Sequence, residues 1–132
     1  MKRILFLCAD NRVLSPMAQA LARLYAQAGT LTYSAGLSAA NAFEPRLMAM
    51  LAELDLAPRC SAPQSLAKHA DLSFDCCVWL GPQPPPASGL NLDVQWTTPD
   101  PSDLSDAAYR HFRDRLAERV RHLVQMFEAD LD

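Results

Sequence analysis

Cys8 closes the apolar run Ile4-Leu5-Phe6-Leu7, and after a short polar loop the chain reads Ser15-Pro16. That spacing sets a thiol where a strand hands over to a helix. Such a turn gathers free main-chain N–H groups and the positive end of the helix dipole, which together hold an anion. The same field eases ionisation of a cysteine, and the thiolate is the nucleophilic form. Cys8–Ser15 is therefore the stretch that could bind a small oxyanion and attack it. For any single cysteine a plainer reading exists, a small buried residue at a strand end. The flanking apolar strand and the Ser-Pro helix start weigh against it.

The elements that must hold this loop are legible from periodicity. Ile4–Leu7 is a continuous run of strand formers, as expected of a central parallel strand covered on both faces. Ser15 reads as an N-cap with Pro16 at the first helical position, and Met17, Ala20, Leu21, Leu24 and Tyr25 keep helical spacing up to Gly29, a C′ residue. A second strand is predicted at Leu31–Ser34 and a second helix at Pro45–Leu56. A short third helix follows at Ser65–Leu72, a third strand at Phe74–Leu80 and a fourth at Val94–Thr97. The prolines at 82–86 form a stiff loop. A long amphipathic helix begins near Ser105, with Tyr109, Phe112, Leu116, Val120, Leu123 and Phe127 on its buried stripe and Arg113, Arg115, Glu118, Arg119 and Arg121 mostly outside it. Trp79 and Trp96 are expected in the core rather than as substrate walls. The alternation predicts an α/β fold: a three-layer, doubly wound, four-stranded parallel sheet with helices on both faces, in a single domain spanning 1–132.

Composition narrows the function. Half of the 132 residues are hydrophobic and a fifth charged, ordinary values for a globular domain, and the net charge of -3 offers no broad basic field for nucleic acid. Lys2-Arg3 precedes only six apolar residues, Ile4–Ala9, too short a run for a secretory signal, and no later run suffices for a membrane span. A cytoplasmic location is expected. Cys8, Cys60, Cys76 and Cys77 show no C-x-x-C spacing and are expected as free thiols; with three scattered histidines, no metal site and no cofactor is expected.

Cys8-Ala9-Asp10-Asn11-Arg12-Val13-Leu14-Ser15-Pro16-Met17-Ala18-Gln19-Ala20 resembles the signature of low-molecular-weight protein tyrosine phosphatases, C-x-G-N-x-C-R-S-P-M-A-E-A. Tyr33-Ser34-Ala35-Gly36, Glu44-Pro45-Arg46, Phe74-Asp75 and Asp100-Pro101 are similar to further landmarks of that family, in its order and across nearly the whole chain. The resemblance implies phosphomonoester hydrolysis through a cysteinyl-phosphate. Cys8 would be the nucleophile, Asp100 the general acid and Ser15 the support of the thiolate, while Asn11 would hold the loop backbone. Ala9, Asp10, Asn11, Arg12, Val13 and Leu14 would surround the bound phosphate or other oxyanion, free or carried by a phosphorylated protein.

Three positions of the loop depart from the pattern. The arginine that clamps two phosphate oxygens is Leu14, and no aliphatic side chain imitates a bidentate guanidinium. Two lost charge-assisted hydrogen bonds amount to about 3–6 kcal/mol, or roughly 10²- to 10⁴-fold in rate. The signature glycine is Asp10, whose carboxylate adds repulsion toward phosphate, and the second loop cysteine is Val13. Arg12 restores a charge nearby, either over the pocket mouth or paired with Asp10. After Asp100-Pro101 come Ser102-Asp103, where eukaryotic members place tyrosines, so a deep phosphotyrosine slot is not expected. Three functions follow: an inactive or strongly attenuated phosphatase that keeps its anion-binding loop; an atypical active one clamped by Arg12 or Arg46; and a redox protein of the arsenate reductase kind, which this fold also serves.

Overall fold

The computed structural model describes residues 1–129. Its strands are β1 (Lys2–Cys8), β2 (Thr30–Gly36), β3 (Cys76–Gly81) and β4 (Val94–Thr97); its α-helices are α1 (Leu14–Ala22), α2 (Leu47–Ala52) and α3 (Asp106–Ala129). Short 3-10 helices lie at Leu66–His69 and Pro101–Asp103. The strands form one sheet in the order β2-β1-β3-β4, every pair parallel. Cys8 lies opposite Gly36, Leu7 opposite Trp79 and Gly81 opposite Thr97, so the carboxyl ends of the strands share one edge. β1 runs between β2 and β3, and the crevice at its end is where an open α/β sheet receives ligands.

Alternation along the strands divides the core. Ile4, Phe6, Cys76, Val78 and Leu80 face the three α-helices, whereas Leu5, Leu7, Tyr33, Ala35, Cys77 and Trp79 face the other way. The second face is covered by Leu66 of the first 3-10 helix and by Leu37, Leu72, Phe74, Leu90 and Leu92. Three layers thus form, the outer one on that side made of a 3-10 turn and loops. Central β1 has Ile4–Leu7 wholly buried on both faces, which accounts for its unbroken apolar run.

The elements differ from expectation at their ends. α1 stops at Ala22, where Arg23, Leu24 and Tyr25 donate to carbonyls three residues back, and Gly29 instead accepts the Lys2 N–H at 2.9 Å. α2 is shorter than Pro45–Leu56 and closes with Asp55 at φ 58 while the Leu56 N–H reaches the Leu51 carbonyl, a left-handed C-cap without glycine. The Ser65–Leu72 helix is reduced to Leu66–His69, and β3 starts two residues later than Phe74. β4 matches its predicted bounds, and α3 starts one residue after Ser105, whose hydroxyl accepts the Ala108 N–H. Arg113 is not outside the α3 stripe: it is 5% exposed and donates to the Met50 carbonyl at 2.8 Å.

Candidate functional site

The loop between β1 and α1 is fixed by its carbonyls. Those of Cys8, Ala9, Asp10 and Arg12 accept N–H groups of Leu37, Ser38, Ala40 and Glu44 at 2.9–3.1 Å. The segment after β2 therefore straps the loop from behind. Gly36 makes that approach possible, since a Cβ there would stand 2.6 Å from Asn11 N and from the Asp10 carbonyl carbon. Asn11 takes φ 54, a left-handed conformation in which asparagine is among the tolerated residues. Its buried amide is fully used: Nδ2 donates to Ser15 Oγ at 2.8 Å and Ser34 Oγ at 3.0 Å, and Oδ1 accepts the Gln64 N–H at 2.8 Å.

Cys8 lies at the centre of this network. Its Sγ is 2.9 Å from Ser15 Oγ and accepts the Asn11 N–H at 3.2 Å. Ser15 is not the helix N-cap; α1 begins at Leu14 after Val13 without a side-chain cap. The Ser15 hydroxyl has a single proton and two takers, Cys8 Sγ and the Ala35 carbonyl at 3.2 Å. Burial pushes the Cys8 thiol above its ordinary value, against the opposing hydrogen bonds from Ser15, Asp10 and Asn11. In that neutral state Cys8 donates to Ser15 and Ser15 donates to Ala35.

A cavity of about 300 Å³ opens over the thiol. Ala9, Asp10, Val13, Leu14, Trp79 and the prolines 82, 84 and 86 line it, with Asp100 at its rim. Trp79 is both a buried strand residue and a cavity wall, its indole N–H donating to the Gln83 carbonyl at 3.0 Å. Leu14, 5% exposed, packs with the helix-side core. No arginine or lysine is among the lining residues.

Both candidate replacements for the missing clamp are engaged elsewhere. Arg12 Nη1 donates to the Ser102 hydroxyl at 2.9 Å, and its N–H donates to Asp10 Oδ1 at 3.1 Å, which takes one main-chain donor from an incoming anion. Arg46 donates to the carbonyls of Leu104 (2.6 Å), Ser102 (2.8 Å) and Pro101 (3.4 Å) and to Asp106, while its guanidinium lies 4.6 Å from the Tyr109 ring centroid. Glu44, 4% exposed, accepts the Tyr109 hydroxyl at 2.7 Å. Burial and this acceptor raise the Tyr109 phenol well above its ordinary value. Glu44-Pro45-Arg46 is thus a brace between the loop, the Asp100 segment and α3, a role that sequence reasoning missed.

Asp100 caps the 3-10 turn that follows it, accepting the Ser102 N–H at 2.8 Å and the Ser102 hydroxyl. Cys76 and Cys77 sit on opposite faces of β3, each pushed up to about 11 by burial and the nearby Asp93 carboxylate, and neither lines the cavity. All four cysteines are free. Among the described residues no cluster of metal-binding side chains occurs and no helix is long and apolar enough to cross a membrane.

Similar architectures are known. An arsenate reductase from Archaeoglobus fulgidus is 26% identical, with a TM-score of 0.80 over 92% of this chain and 98% of that one. An arsenate reductase in the phosphate-binding state is 23% identical, with a TM-score of 0.77 over 96% and 98%. A mutant of YwlE from Bacillus subtilis is also 23% identical, with a TM-score of 0.74 over 97% and 99%. At sequence level the family model for low molecular weight phosphotyrosine protein phosphatase matches residues 3–83, more than half of the chain and the whole of the Cys8 loop with its strap. The chain belongs to the low molecular weight phosphotyrosine protein phosphatase family.

Proposed function

We propose that this protein is a strongly attenuated phosphatase of its family, whose Cys8–Ser15 loop still receives a small oxyanion: inorganic phosphate or the phosphoryl group of a phosphorylated protein. One observation carries the reading. Leu14 is buried where the family has its arginine, and Arg12 and Arg46 both spend their guanidinium groups on the Asp100 segment. The loop's main-chain N–H groups and the N-terminus of α1 remain to hold the anion.

The reaction such a site would run has two steps. Cys8 gives its proton to water, and Ser15 turns its own proton from the Ala35 carbonyl to the thiolate so formed; the thiolate attacks phosphorus and the ester P–O bond breaks, the leaving oxygen taking a proton from Asp100. Asp100 then removes a proton from water, which attacks the cysteinyl-phosphate and releases phosphate and the Cys8 thiolate. Without a cation in the cavity, the charge on the three equatorial oxygens meets only N–H dipoles, and the Asp10 carboxylate opposes it. Turnover is expected roughly 10²- to 10⁴-fold below that of a site with its arginine.

The test combines two assays. Phosphate or sulfate should raise the melting temperature while aryl phosphate turnover stays slow and vanishes in Cys8→Ser. Leu14→Arg with Asp10→Gly should raise turnover by about 10² or more. Brisk, Cys8-dependent turnover by the unaltered protein contradicts the proposal, as does a reverted protein that folds and binds sulfate yet stays inert. The likeness to the Archaeoglobus fulgidus arsenate reductase favours a second reading, reduction of arsenate with oxidation of a second cysteine. Burial of Cys76 and Cys77 weighs against it, and an arsenate-dependent disulfide found by mass spectrometry would establish it.

A further inference from the structure

A groove separate from the Cys8 cavity follows the far edge of the sheet, between β4 and α3. It consists of two adjoining hollows of about 460 and 540 Å³ that share Arg115 and Arg119. Trp96, Val94, Phe112 and Leu116 give it apolar walls, and exposed Leu104 and Met126 mark its ends. Between those ends α3 runs roughly 30 Å, the span of about nine extended residues.

Cations cluster along this groove. Arg110 and Arg113 are paired with Glu53, and Arg113 also with Asp114; Arg115, Arg119 and Arg121 make no ion pair among the described residues. The Arg119 guanidinium lies 5.2 Å from the Trp96 ring centroid, within reach of a cation–π contact, and donates to no other group among the described residues. His111 and His122 add further donors, and Glu118 is the one acid among the lining residues. A chain of net charge -3 thus gathers unpaired cations on one face.

The strand beside them is open. β4 pairs with β3 alone among the described strands. Its sequence, Val94-Gln95-Trp96-Thr97, has none of the charges or prolines that ordinarily protect an edge. The Trp96 carbonyl accepts the Thr98 hydroxyl at 3.3 Å, and otherwise no second strand pairs with β4 among the described residues; such an edge next to an apolar, arginine-rimmed groove matches one mode of recognition, strand addition.

We infer that this groove binds an extended, acidic segment of a partner protein, which joins β4 as a fifth strand and presents apolar and acidic side chains by turns on its α3-facing side, the apolar ones against Trp96 and Phe112 and the carboxylates on Arg115, Arg119 and Arg121. The site is independent of the Cys8 cavity and of the function proposed for it.

The probe is a fluorescein-labelled nine-residue peptide, Thr-Val-Thr-Glu-Thr-Val-Thr-Glu-Thr, whose Val and Glu share one face of the strand, titrated with the full chain and read by fluorescence anisotropy. It should bind about tenfold or more tightly than the same peptide with Lys at both Glu positions, and weaken as salt is raised. Arg115→Glu combined with Arg119→Glu should cost about tenfold or more, whereas the double change to Lys should keep most of the affinity. N-methylation of alternate peptide residues should abolish binding without touching the protein. Equal binding of the Lys peptide, full affinity in a charge-reversed protein with an unchanged melting temperature, or undiminished binding of the N-methylated peptide overturns the inference. So does sedimentation showing that the groove joins two copies of this chain, or a DNA duplex that binds the same arginines more tightly than the peptide.

Discussion

Arg12 reaches the Ser102 hydroxyl at 2.9 Å, and that hydroxyl in turn donates to Asp100. The one cation of the loop is therefore tied to the segment that carries the proposed acid rather than aimed at the anion over Cys8. Arg12→Ala is expected to change residual aryl phosphate turnover, and the phosphate-induced rise in melting temperature, by less than about threefold, in keeping with a part-exposed contact. Amide exchange at residues 100–103 should quicken. A hundredfold loss in either readout would place Arg12 on the anion.

Cys8 is expected to be a sluggish nucleophile at neutral pH. Its thiol is raised by burial and faces no cation, so the neutral thiol is the dominant form at pH 7. Alkylation by iodoacetamide, followed peptide by peptide in the mass spectrometer, should climb with pH with no plateau below about pH 9. Half-buried Cys60 serves as an internal comparison. In the Leu14→Arg protein the plateau should move down by roughly 1–3 pH units, the effect of a cation beside an ionising group. Fast labelling of Cys8 at pH 6 in the unaltered chain would show that the helix and loop dipoles suffice without the arginine.

The architecture was legible because β1, buried on both faces, must be an uninterrupted apolar run, and because helix-forming stretches alternate with strands. The loss at Leu14 was legible for the same reason that a missing ligand is: the residue type cannot supply the contact. What the sequence concealed depends on competition for single groups. Ser15 looked like a helix cap, yet its one hydroxyl proton serves Cys8 and Ala35 instead. Arg46 looked available as a clamp, yet three carbonyls brought in by the Asp100 segment claim it, and that segment is distant in sequence. Arg113 falls four residues after Tyr109 and three before Leu116, so helical phase places it on the buried face although its charge favours solvent.

Gly36→Ala tests whether the strap behind the loop is as tight as the geometry says. The added methyl would meet main-chain atoms of Asp10 and Asn11 at 2.6–2.9 Å, none of which can swing aside as a side chain does. The loop must move or β2 must, at about 1–3 kcal/mol by urea denaturation. Because Asn11 links the displaced backbone to Ser15 and Gln64, anion-induced stabilisation should fall by more than global stability does. A variant with unchanged stability and unchanged phosphate response would mean that the loop is not held from behind by β2.

Glu53 offers a pH test of how α2 is joined to α3. Hydrogen bonds from Arg110 and then Arg113 hold its carboxyl down at about 2, against an ordinary value of 4.5. A carboxyl lowered on folding contributes stability that is complete above its unfolded value and disappears as pH falls through the folded one. Glu53→Gln should therefore be less stable than the parent at pH 7, with the gap shrinking between pH 4.5 and about pH 2 and closing below that. Raising salt at pH 7 should narrow the same gap, because Glu53 is partly open to solvent. Arg113→Met separates the two parts of the contact: it removes a hydrogen bond to the Met50 carbonyl that does not titrate, so part of its destabilisation should persist in acid. A Glu53→Gln deficit that stays constant or grows on acidification would show that packing of α2 on α3, and not this ion pair, joins the two helices.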